Sequence, residues 1–245
     1  MKQLQQRIKQ NATLSVITAV AIGFAIFFMS GVLKDPVFSL LDQHLHLPPY
    51  WGNVVLKFFM LVLSIGTILL LNKGNLKSYG FQRSKNIRYI PFVLKVSAIS
   101  AASFIFSFLV FMVLLSNLFP TANHQTFENE NIVVTIFTVW IWSSLCEEVL
   151  VRGVVQGFIQ HLRHIKIFKL SLPVVVSGLF FGSLHAFLFL FMSCWFAAFI
   201  VFDTIVMGMV AAYYREKSES IIPAFWVHFI ANVIGCTPLL FKFIF

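Results

Sequence analysis

Two adjacent acids, Glu147 and Glu148, follow a run from Ile132 to Leu145 that contains no charged residue, and Arg152 stands four positions beyond Glu148. An ionised carboxylate in hydrocarbon costs several kcal/mol, so acids within an apolar run mark a place where charge is used. Two further polar groups lie in apolar runs downstream. His185 follows Phe181 by four residues, and Asn232 follows His228 by four. A carboxylate can take a proton from water, an imidazole can hold or pass one, and an amide beside an imidazole can donate to a developing oxyanion. Together these residue types suit water-activated hydrolysis within a bilayer.

Helical spacing divides the roles. Glu148 and Arg152 are one turn apart and can pair directly. Glu147 is turned about 100° away on the same helix and lacks that partner, which leaves it available as a general base. Phe181 can wall the imidazole of His185. His228 and Asn232 present two hydrogen-bonding groups on one face. Each feature alone has a plainer explanation: a buried ion pair, a satisfied core histidine, or a polar contact between neighbouring helices. Cys146 adjoins Glu147 and offers a thiol nucleophile, but on a different face from His185. Asp203 is a further acid in an apolar run; it either faces the same cavity or pairs with Lys95 or Arg152.

The elements that must carry these residues are membrane spans. The chain has 245 residues, 59% hydrophobic and only 11% charged. Soluble domains carry about 25% charged residues. Apolar runs near the 20 residues needed to cross a bilayer occur at 14–33, 54–71, 90–119, 132–151, 172–190, 192–213 and 221–236. The sequence therefore predicts an all-α, multi-pass transmembrane bundle of about seven spans, or eight if one run hides two. Residues 1–131 hold helices with no catalytic motif, 132–236 form the core, and 237–245 are a short tail. Glu147 lies about 22 Å along the fourth run, in a core about 30 Å thick. His185 lies about 20 Å and His228 about 9 Å into theirs. These depths fit one cavity opening to the cytoplasm.

The net charge of +9 is explained by its placement. Lys2, Arg7 and Lys9 precede the first run, and Lys73, Lys77, Arg83, Lys85 and Arg88 follow the second. Arg152, Arg163, Lys166 and Lys169 follow the fourth, and Arg215 and Lys217 the sixth. All of these would face one side. Lys57 and Lys95, near run ends, can snorkel. The segment Pro120–Asn131 has two acids and no basic residue. The positive-inside rule then puts the N-terminus in the cytoplasm of a cell-membrane protein. The basic residues serve orientation and anionic lipid, and no nucleic-acid partner is indicated. The three cysteines, Cys146, Cys194 and Cys236, show no metal-binding or disulfide spacing.

The ordered set Glu147-Glu148-x-x-x-Arg152, Phe181-x-x-x-His185 and His228-x-x-x-Asn232 resembles the CPBP family, the CAAX proteases and bacteriocin-processing enzymes also called Abi proteins. That superfamily includes the Ras-converting endopeptidase. The resemblance covers roughly Ile132 to Gly235. It implies an intramembrane endopeptidase of the glutamic type acting on a membrane-associated or precursor peptide. In it Glu147 would activate water with His185, His228 and Asn232 would stabilise the oxyanion, and Glu148, Arg152 and Phe181 would support the site. No cofactor is expected. The alternative is a zinc enzyme with Glu147, His185 and His228 as ligands, although HExxH is missing. A non-proteolytic scaffold or immunity protein, or a proton-coupled transporter, are readings from other classes; the transporter reading lacks paired repeats. Substrate identity and oligomeric state are not legible.

Overall fold

The computed structural model describes residues 10–119 and 131–236. The basic residues of the N-terminal tail, the segment Pro120–Asn131 except its last residue, and the tail 237–245 lie outside the described residues. Among the described residues the elements are helices, apart from one small hairpin. The helices are α1 (Ala12–Leu45), α2 (Trp51–Leu71), α3 (Tyr89–Leu118), α4 (Ile132–Phe158), α5 (Leu172–Ser183), α6 (Cys194–Ser218) and α7 (Ile221–Gly235). A 3₁₀ turn, Ala186–Leu190, prolongs α5. The hairpin pairs β1 (Lys166–Ile167) with β2 (Leu170–Ser171) antiparallel.

Six of these helices, counting α5 through Leu190, are long and apolar enough to cross a membrane among the described residues. The seventh apolar run of the sequence forms α7, which at about 22 Å is shorter than a 30 Å hydrocarbon core. Side-chain caps fix several starts. Asn11 accepts from the Leu14 amide, Asn131 from Val133 and Ser220 from Ile222, satisfying donors that a helix start leaves unpaired.

The burial pattern fits a lipid solvent. Leu70 is 86% exposed and Ile90 79%, which would be costly in water and is neutral against acyl chains. α4 is the central helix: from Cys146 to Val155 every residue is buried. Around it pack Ala19 and Ile26 of α1, Met60 and Ile68 of α2, and Phe180 and Phe181 of α5. α5 meets α6 along a glycine seam. A Cβ on Gly182 would stand 2.1 Å from a carbon of Ile205, and one on Gly178 would stand 2.9 Å from the Met209 backbone nitrogen. The missing side chains let the two backbones touch, and this draws α6 close enough to reach the charges on α4.

The connections rich in basic residues gather on one face. The Lys85 amide donates to the Ser218 carbonyl and the Ile221 amide to Gly80, both at 3.0 Å. Lys85 also pairs with Glu219 at 2.7 Å. That bond and the nearby positive charge hold the exposed Glu219 carboxyl below its ordinary pKa. Glu219 itself adopts the left-handed backbone conformation that closes the short link between α6 and α7. This hairpin presents Asp203 and Gly208 beside His228 and Asn232.

Candidate active site

Within α4, the α-helical segment Ser144–Glu148 lies between two wider π-helical stretches, Ile136–Ser143 and Val149–Val155. Such stretches are rare and concentrate at functional sites. Glu148 and Arg152 pair at 3.0 Å with both side chains fully buried. Arg152 also donates to the Gly208 carbonyl of α6 at 2.8 Å, and its guanidinium lies over the Phe181 ring, 4.8 Å from the centroid. The delocalised, planar cation is thus held on three sides. Arg152 is therefore an interior charge. It does not belong with the loop charges among which the positive-inside reading counts it.

Glu147 departs from the expectation. It has a charge partner, Lys57 of α2, which donates to the same carboxylate oxygen, Oε1, that accepts from Ser143 at 2.9 Å. Lys57 does not snorkel: it is 8% exposed and turned inward. Its ammonium replaces the water that a carboxylate at this depth has lost. The other oxygen, Oε2, faces His228 Nε2 at 3.6 Å, too far for a direct hydrogen bond.

His228 joins the two acids. Its Nδ1 lies 3.0 Å from Glu148 Oε1. A carboxylate only accepts, so Nδ1 carries the hydrogen and Nε2 is left toward Glu147. His185 sits where α5 ends and the 3₁₀ turn begins, and its Nδ1 donates to the Phe181 carbonyl at 3.1 Å. Its Nε2 is likewise left as an acceptor in the neutral ring. Phe181 does more than wall His185. Its ring meets His185 and His228 edge to face at 5.0 and 5.1 Å while underlying Arg152. Asn232 gives one amide hydrogen to Ser144 Oγ at 2.9 Å and keeps a second.

Two cavities meet here. One of about 240 Å³ is lined by Glu147, Lys57, Ser143, His185, His228 and Asn232, with α1 and α2 supplying Phe27, Asn53 and Met60. The other, about 380 Å³, has Glu148, Arg152 and Asp203 in its walls, with His185, His228 and Asn232 again. The three downstream polar residues thus stand between the cavities. The wall of the smaller one crosses the division that motifs alone draw at residue 131. Asp203 faces the larger cavity and bonds to Ser103, not to Lys95 or Arg152. Cys146 is fully buried in the core and lines neither cavity.

Among the described residues no three His, Cys, Asp or Glu side chains group as metal ligands. Glu147 Oε1 is already committed to an ammonium, and a cation there would face like charge. The residues present do not fit a zinc centre.

Sequence reasoning missed Lys57, Ser143 and Ser144. Lys57 carries the same signal that singled out Glu147, an ionisable group inside an apolar run, but it lies close enough to a run end to be read as a snorkelling charge.

Residues 129–234 match the model of the family described as type II CAAX prenyl endopeptidase Rce1-like. No curated protein and no solved structure matches the chain. The matched segment holds every polar residue of the site except Lys57 and its neighbour Asn53 on α2. The segment that carries the site, residues 129–234 of a multi-pass helical membrane protein, is thus similar to the Rce1-like type II CAAX prenyl endopeptidases.

Proposed function

We propose that the chain is a glutamic-type intramembrane endopeptidase that cleaves a membrane-associated or precursor peptide without a metal. The observation that carries this is the 240 Å³ cavity in which Glu147, His185, His228 and Asn232 meet. With Oε1 held by Lys57 and Ser143, Oε2 of Glu147 is the oxygen left to take a proton from water. His185, its tautomer set by the Phe181 carbonyl, orients that water through Nε2. The resulting hydroxide attacks the scissile carbonyl carbon, and the carbonyl electron pair moves to oxygen. The free N–H of Asn232 donates to this oxyanion. His228, whose Nδ1 hydrogen is given to Glu148, joins it as a donor only when its second nitrogen is protonated. Collapse breaks the C–N bond, and the proton held on Glu147 passes to the leaving amine. Glu148, Arg152 and Phe181 hold His228 and the helix register.

Loss of one oxyanion donor typically costs 10²–10³-fold in turnover. Asn232→Ala is expected to show about that loss in kcat with KM little changed. Activity is also expected to resist chelators. Zinc bound in stoichiometric amount and lost in step with activity would overturn the metal-free mechanism and make Glu147, His185 and His228 ligands.

We further propose that the face formed by the loops 73–88 and 159–171 is cytoplasmic, with the N-terminus on the same side. Along α4 and α7, Glu147 and His228 stand about 16 Å and about 10 Å from that face. Asn123→Cys, in the segment outside the described residues and with the native cysteines replaced by Ser, should label from outside intact cells with an impermeant reagent. Labelling only after the membrane is opened would reverse the orientation.

A further inference from the structure

Asp203 has no part in the proposed chemistry. It sits in α6, half-buried, in the wall of the 380 Å³ cavity, where Ser103 of α3 donates to its carboxylate. Among the described residues no ion pair reaches it. Arg152 is the one lysine or arginine lining that cavity, and its charge is taken by Glu148 and by the Gly208 carbonyl. The charges in the wall therefore sum to an unmatched carboxylate. At this depth that is costly unless a proton or a cation neutralises it. Part of the wall on the same side of the cavity is aromatic. Phe104 and Phe199 meet edge to face at 5.4 Å, and Phe196 lies against Phe199 at 5.9 Å. Ring faces attract a cation and also cover an aliphatic stem. A cavity with aromatic rings in its wall and one carboxylate that has no ion-pair partner suits a lysine or arginine side chain better than an acidic or purely apolar one.

This cavity shares a wall with the site. His185, His228 and Asn232 line it as well as the cavity that holds Glu147. Asp203 stands about 7.5 Å along α6 from Gly208, the residue that anchors Arg152. An extended peptide advances about 3.3 Å per residue. A side chain within about three residues of the scissile bond can reach it.

The geometry points to a specificity subsite: Asp203, positioned by Ser103 and walled by Phe104, Phe196 and Phe199, receives a cationic side chain of the peptide substrate close to the bond cleaved. This rests on the endopeptidase reading and narrows its substrate class to peptides with a lysine or arginine near the cleavage point.

The test uses full-length protein in lipid nanodiscs and peptide pairs that differ only in Lys against norleucine, scanned over three residues on each side of the bond. Norleucine keeps an aliphatic stem and drops the charge. Cleavage is measured as kcat/KM, and binding is measured separately on the Lys57→Met/Glu147→Gln chain, which removes both charges of the buried pair. At one position Lys is expected to be preferred about tenfold or more, as for an ion pair formed out of water. Asp203→Asn, nearly isosteric, should bring the ratio to about one, and Asp203→Lys should favour Glu at that position. Equal handling of Lys and norleucine at every position, or a preference that survives Asp203→Asn, overturns the subsite. That result with cleavage intact leaves the peptidase reading standing. Asp203-dependent binding without cleavage of any peptide keeps the subsite and removes the peptidase reading. Neither binding nor cleavage removes both.

Discussion

Glu147→Gln is expected to lower turnover about 10²–10⁴-fold, the range for loss of a positioned acid–base group. The substitution also takes the partner from Lys57, which is buried beside it. An unpaired buried charge can cost about 3–5 kcal/mol, so the single variant confounds chemistry with folding. The double variant Lys57→Met/Glu147→Gln removes both charges. It should melt near the wild-type temperature and remain inactive. Lys57→Met alone should lose part of the activity, because Glu147 keeps its base but not the ammonium that fixes Oε1. Near-normal turnover in the double variant would mean that the base has been misassigned.

Arg152→Leu is expected to destabilise the protein by about 3–5 kcal/mol, since it strands the buried Glu148 carboxylate and the Gly208 carbonyl. Against a usual total of about 5–15 kcal/mol this is enough to lower the yield of folded protein sharply. Glu148→Gln should act in the same direction, and it also removes the acceptor that holds His228. Arg152→Lys keeps the charge but lacks the planar fork that serves Glu148 and Gly208 together over Phe181, so its loss should be intermediate. The Lys34–Asp35 pair at 2.8 Å, with Asp35 exposed and Lys34 partly so, is a useful contrast: breaking it should cost under about 1 kcal/mol. Thermal unfolding in detergent checks the series. An Arg152→Leu protein as stable as wild type would contradict the structural role.

The helical class was legible because bilayer length and apolar content leave few alternatives, and each of the seven apolar runs does form a helix. The Glu148–Arg152 pair was legible because i,i+4 contacts depend on one helix alone. What spacing could not show were contacts between helices. Lys57 meets Glu147 across 90 positions of sequence, and no periodicity within α2 or α4 encodes that approach. The link from His228 to Glu148 is of the same kind. It alters the expected role of His228, because a ring already giving its Nδ1 hydrogen to a carboxylate is no simple neutral donor at Nε2. The break after Ser183 was hidden for another reason. Leu184 to Leu190 is as apolar as the helix before it, so hydropathy reads straight through the turn that sets His185.

The central claim, that Glu147 drives hydrolysis of a peptide bond inside the membrane, is tested most directly by product analysis. Purified wild-type protein and the Lys57→Met/Glu147→Gln variant, matched for melting temperature, are each incubated in nanodiscs with membrane-derived and Lys-containing peptides. New peptide ends are then identified by mass spectrometry. The account predicts paired N- and C-terminal fragments from the wild type, each pair summing to the substrate plus one water, and none above background from the variant. The same fragments at the same rate from both proteins would contradict it.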